Sequence, residues 1–134
     1  MQLKKGYKQL IDEALGSIAT MSVAEALPLL GDPDVVFVDI RDVRELERDG
    51  MIPGALHAPR GMLEFWVDPE SPYYKDVFGS GKRFVFYCAS SWRSALATAA
   101  LTEMGLPRTA HLDGGFGAWK QAGGPVGERK RHGS

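Results

Sequence analysis

The chain holds one cysteine, Cys88, and it lies five positions before an arginine in the run Cys88-Ala89-Ser90-Ser91-Trp92-Arg93-Ser94. Small residues directly after a thiol, followed by a helix start, describe a turn that aims several backbone N–H groups at one point. With the positive end of the helix dipole, these groups form a cradle for an anion. The same field, with the Arg93 guanidinium nearby, favours thiolate over thiol, and the thiolate is the nucleophile. The competing reading is a buried, inert thiol, because free cysteine packs as a small hydrophobe. The turn, the arginine and the strand-to-helix junction together favour the reactive reading.

The surrounding elements put Cys88 where chemistry is expected. Arg83 to Tyr87 reads as a buried strand, and Trp92 or Arg93 to about Met104 as a helix closed by Gly105 and Pro107. In open α/β sheets, sites lie at the carboxyl ends of strands, which is the position of Cys88. Val35 to Val38 is a second buried-type strand and leads straight into Asp39-Ile40-Arg41. Short strands are expected at Ala55 to His57 and at Thr109 to Leu112.

Lys8 to Ile18 predicts a helix with Leu10, Ile11, Ala14, Leu15 and Ile18 on one stripe. Ser22 with Glu25, and Asp42 with Glu45, are capping-box pairs that start helices running to about Leu30 and Gly50. Asp113-Gly114-Gly115 turns into a last helix, Phe116 to Ala122, with Asp113 expected as its cap. Arg60 to Trp66 reads as helical, and the segment from there to Gly81 has no regular pattern. Alternating strands and helices imply an α/β domain, with a mostly parallel central sheet flanked by helices on both faces.

With 134 residues, 44% hydrophobic and 25% charged, the chain suits one soluble domain. The divisions expected are an N-terminal helical segment over 1–21, the domain over 22–126 and a basic tail over 127–134. No apolar run approaches the roughly 20 residues that cross a bilayer, and no secretion signal precedes the domain. One cysteine forms no internal disulfide, and no Cys and His spacing suits a zinc site, so neither metal nor cofactor is expected. A reducing, cytoplasmic setting follows. The net charge of -1 disfavours nucleic acid or an anionic membrane as partner. The run Arg129-Lys130-Arg131 reads as a solvated tail.

Other residues bear on the same site. Asp39 and Arg41 follow a strand expected beside the cysteine strand, where they either brace the loop by an ion pair or form a wall of the site. Arg60, Phe65 and Trp66 either line the mouth, or the aromatics pack in the core and Arg60 lies on the surface. Trp92 either shields the sulfur or anchors the helix. His57 and His111 read as structural, with a role as general base to the cysteine left open.

Three motifs in order resemble the rhodanese family, from Ser22 to about Val126. Val38-Asp39-Ile40-Arg41 with Ile52-Pro53-Gly54-Ala55-Leu56-His57 is similar to its first signature. Cys88 to Arg93 is similar to its active-site loop, and Leu112-Asp113-Gly114-Gly115-Phe116-Gly117-Ala118-Trp119 to its C-terminal signature. The resemblance implies a single-domain rhodanese-like fold and a sulfurtransferase. Cys88 would take sulfane sulfur from a donor such as thiosulfate, hold it as a persulfide and pass it to a thiol or cyanide-like acceptor, or to a protein. It further implies that backbone N–H groups of Ala89, Ser90, Ser91, Trp92, Arg93 and Ser94 surround the outer sulfur, with Arg93 helping to hold an anionic donor.

Related phosphatases and arsenate reductases use a loop one residue longer between cysteine and arginine, to fit a tetrahedral oxyanion. Here four residues intervene. The loop departs from the family in Ala89, where a basic residue is common, and in Ser91, where glycine is common. Those departures motivate the alternative of a non-catalytic, protein-binding module, and glycine at that place raises the expectation of a positive φ.

Overall fold

The computed structural model describes residues 1–130; Arg131 and the Gly133-Ser134 end of the expected tail lie outside the described residues. In chain order the elements are α1 (Tyr7–Ser17), β1 (Ala19–Met21), α2 (Val23–Ala26), β2 (Val35–Asp39), α3 (Val43–Asp49), β3 (Leu56–His57), α4 (Leu63–Val67), β4 (Arg83–Tyr87), α5 (Trp92–Met104), β5 (Thr109–Leu112) and α6 (Gly115–Gln121). Short 3-10 turns at Leu27–Leu29, Arg60–Met62 and Asp76–Gly79 link them. The five strands pair in the order β1-β5-β4-β2-β3, and all four pairings are parallel.

Parallel strands need long crossovers, and helices supply them while covering both faces of the sheet. β4 sits at the centre, so its carboxyl end opens between the ends of β2 and β5. Side chains of a strand alternate between faces, and this divides the core. Val85 and Tyr87 join Phe37, Ala110, Phe116 and Trp119 on the face covered by α2 and α6. Phe84, Phe86 and Cys88 join Val38, Leu63, Ala97 and Leu101 on the face covered by α4 and α5. Each fully buried Phe or Leu contributes on the order of 1.5–3 kcal/mol.

The helix starts follow their caps. Ser22 and Glu25 exchange hydrogen bonds across the first turn of α2, each 3.1 Å. At α3, Asp42 accepts from the Arg44 N–H at 2.9 Å while Glu45 accepts from the Asp42 N–H at 3.0 Å. Pro28 shortens α2: the helix expected to reach Leu30 becomes one α-turn and a 3-10 turn. Residues 19–21, expected within an N-terminal helical segment, form the edge strand β1 against β5. Gly127 pairs with Met51 as an isolated antiparallel bridge, which closes the chain back onto the loop after α3.

Candidate active site

The loop after β4 is held from outside by α6. The Cys88 carbonyl accepts from the Phe116 N–H at 2.9 Å, and the Ala89 carbonyl from the Gly117 N–H at 3.0 Å. All described peptide bonds are trans, so the N–H on each of these peptide units points the opposite way. The N–H groups of Ala89 and Ser90 therefore face away from α6. Those of Trp92, Arg93 and Ser94 belong to the first turn of α5, which leaves its N–H groups without helical partners. None of the backbone N–H groups from Ala89 to Ser94 has an acceptor among the described residues.

Close packing enforces this arrangement. Gly115 has φ +57, and a Cβ there would overlap the carbonyl oxygens of Ser90 and Cys88. Only glycine lets α6 come that near. Ser91 is tied down as well: its Oγ donates to Asp113 Oδ1 at 3.3 Å and accepts from the Gly114 N–H at 2.9 Å. Asp113 therefore serves the loop and does not cap α6, whose cap position is Gly114 with no side-chain bond. Ser91 has φ -142, so the loop makes no demand for glycine at that place.

Cys88 is 1% exposed. Its thiol donates to Ser94 Oγ at 3.6 Å, and Ser94 Oγ lies 3.0 Å from His111 Nδ1 and 3.2 Å from the Ser91 carbonyl. His111 is fully buried on β5, and its Nε2 has no partner among the described residues. Burial pushes its pKa down, against a smaller opposing pull from Asp113. Its neutral form is the one the site favours.

Arg93 is not an open cation. Its guanidinium makes a two-point bond to Glu45, 2.9 and 3.0 Å. This bond, and to a lesser degree the Asp42 N–H, holds the Glu45 carboxyl below its ordinary range. The pair with Glu45 also raises the pKa of Arg93, with a weaker contribution from Cys88.

Asp39 and Arg41 lie beneath the site, 0% and 1% exposed. Arg41 donates to both Asp39 oxygens, at 3.0 and 2.7 Å for the closest contacts, and to the Gly50 carbonyl at 2.7 Å. Its guanidinium also stacks 4.4 Å from the centre of the Phe116 ring at the start of α6. Tyr87, which precedes Cys88, accepts from the Ile52 N–H at 3.1 Å, and burial, with the Asp39 carboxylate as a lesser cause, pushes its phenol well up. The pair thus has no surface to offer a substrate, and it braces the strand end and α6.

Arg60 pairs with Glu64 at 2.8 Å, and none of its hydrogen bonds reaches the loop among the described residues. Phe65 is exposed and Trp66 stacks under Lys75. His57 Nε2 lies 2.7 Å from the Arg41 carbonyl. Trp92 is exposed and meets the Tyr7 ring of α1 at 5.0 Å, an anchoring contact. Sequence reading missed Glu45, Gly115 and Tyr7 as neighbours of the loop. Glu45 was visible only as a cap and Gly115 only as a turn.

Comparison with known proteins places this geometry. A sulfurtransferase of Allochromatium vinosum is 39% identical over 93 residues, which cover 69% of this chain and 78% of that protein. A solved Rhodopseudomonas palustris protein of unknown function, described as a possible tyrosine phosphatase, superposes with a TM-score of 0.91. It is 55% identical, covering 94% of this chain and 97% of the other. The polysulfide-sulfur transferase homodimer of Wolinella succinogenes gives a TM-score of 0.68 at 26% identity, covering 96% and 91%. The family model for the Rhodanese-like domain matches residues 22–122, from the capping box of α2 to the end of α6, and the chain accordingly belongs to that family.

Proposed function

We propose that the protein is a sulfurtransferase that carries sulfane sulfur as a persulfide on Cys88. The Cys88 thiolate attacks the outer sulfur of the donor, and a new S–S bond forms at Sγ as the donor's bond to that sulfur breaks. The electron pair leaves with the donor remnant; with thiosulfate that remnant is sulfite. A thiol, cyanide or a protein thiol then takes the outer sulfur and regenerates the Cys88 thiolate. No outside oxidant or reductant is needed, because sulfur is only exchanged.

The observation that carries this reading is the run of N–H donors from Ala89 to Ser94, directly after the cysteine, that have no acceptor among the described residues. They suit the outer sulfur of a persulfide anion, held at a helix start. Sulfurtransferase relatives support the same class of reaction. A single reduced cysteine fits a cytoplasmic setting, and no helix among the described residues is long and apolar enough to cross a membrane.

Exposure to a sulfane-sulfur donor followed by intact mass spectrometry tests the reading. It predicts a species one sulfur atom heavier that cyanide strips off and that Cys88→Ala lacks. The absence of that species with every donor would overturn it. A second reading, phosphatase activity, draws on the description of the Rhodopseudomonas neighbour. The four-residue spacing from Cys88 to Arg93 and the engagement of Arg93 by Glu45 weigh against it. Hydrolysis of an aryl phosphate that Cys88→Ser abolishes would restore it.

A further inference from the structure

Charge around the loop restricts the donor. Arg93, the cation expected to hold an anionic donor, has both guanidinium arms on Glu45. Asp113 adds a carboxylate bonded to the loop through Ser91. Ala89 supplies no charge at the position after the cysteine. The side chains bonded to the loop thus present one positive charge against two negative ones. A dianion entering here meets repulsion that its binding must overcome.

The flank of the loop is organic in character. Trp92, within the loop, and Tyr7 stack at 5.0 Å. With Ile11, Lys8 and Asp12 they line a cavity of about 180 Å³ whose own two charges are opposite. Such a wall suits carbon-bearing groups better than the oxygens of an inorganic oxyanion.

We infer that the sulfur donor is an organic persulfide, R–S–SH or its monoanion, and not the thiosulfate dianion. This rests on the reading of Cys88 as sulfur carrier. The step balances as Cys88–SH plus R–S–S⁻ giving Cys88–S–S⁻ plus R–SH. The bond from Cys88 Sγ to the outer sulfur forms, the R–S bond to that sulfur breaks, and the proton of the Cys88 thiol leaves on R–SH.

Single-turnover loading of Cys88, followed by intact mass, tests the inference with three probes: thiosulfate, free cysteine persulfide, and a cysteine persulfide carried on serum albumin. At least one persulfide should load roughly tenfold faster than thiosulfate at equal concentration, the effect of repulsion on the order of one charge pair. The two persulfide arms tell a small-molecule source from a protein source. Glu45→Gln keeps the capping box, since glutamine serves at that position. It should raise the thiosulfate-to-persulfide ratio roughly fivefold by freeing Arg93. Ala89→Lys, which leaves α3 untouched, should move the ratio the same way. Thiosulfate loading as fast as both persulfides, or ratios unmoved in both variants, would overturn the donor class while leaving the Cys88 carrier intact. Loading by none of the three would remove the carrier and the donor class together.

Discussion

Gly115→Ala is the most informative single change, because it strikes the contact that shapes the loop without touching Cys88. Gly115 sits at φ +57 against the backbone of Cys88, Ala89 and Ser90, with the Ala89 carbon 3.0 Å from where a Cβ would lie. An alanine there takes on a left-handed backbone, costing about 1–2 kcal/mol. It must also push α6 off the loop, which strains or breaks the Phe116 and Gly117 bonds to the loop carbonyls. Those bonds contribute about 0.5–1.5 kcal/mol each. The total is about 2–5 kcal/mol, a large share of the ~5–15 kcal/mol that holds a domain folded.

With a urea slope near 2 kcal/mol/M, the unfolding midpoint should fall by roughly 1–2.5 M. In the folded fraction, sulfur loading should slow on the order of a hundredfold, since displacement of a positioning group by about 1 Å costs that much. Gly16→Ala is the matched control. Gly16 lies within α1 with nothing within 4 Å of an added Cβ, so alanine should stabilise by about 0.5–1 kcal/mol. A Gly115→Ala protein with an unchanged midpoint and unchanged loading would mean that the close approach of α6 does not shape the loop.

Two further outcomes follow from the buried groups. Arg41→Ala strands the Asp39 carboxylate and the Gly50 carbonyl and should cost about 3–5 kcal/mol by urea unfolding; the double change Asp39→Asn with Arg41→Met should recover part of that loss. His111 has a folded-state pKa below its ordinary 6.5, so the unfolded chain binds the proton first and stability drops as pH falls from 6.5 toward the lowered value. The carboxylates held low, such as Glu45, lose their contribution only further down, below 4.5. His111→Gln should therefore flatten the stability profile between about pH 7 and about pH 5, and an unchanged slope there would contradict the assignment.

What the sequence makes legible is what local pattern determines. Val35 to Val38 and Arg83 to Tyr87 are apolar runs that suit strands covered on both faces, and both are strands at those places. The caps Ser22 and Asp42 bond within four residues, and both boxes form. β1 escaped notice because three residues, Ala19 to Met21, carry no periodicity; β5 makes them a strand by pairing with them. Asp113 has the sequence context of a cap, yet the tertiary approach of Ser91 takes its carboxylate.

The site divides in the same way. Cys88 to Arg93 is one local segment, so its residues were readable. Glu45, His111 and Gly115 meet that segment only through the sheet order, at separations in sequence that no spacing rule encodes. Arg93 shows the consequence. Its presence in the loop was plain, and its engagement by Glu45, 48 positions away, was not.

A crystal structure of the protein after treatment with cysteine persulfide would show where the transferred sulfur resides. The carrier role of Cys88 predicts density for one added sulfur bonded to its Sγ, with the N–H groups of the loop from Ala89 to Ser94 directed at that sulfur. An unmodified Cys88 beside sulfur bound elsewhere, or an added sulfur with those N–H groups turned away, would contradict it.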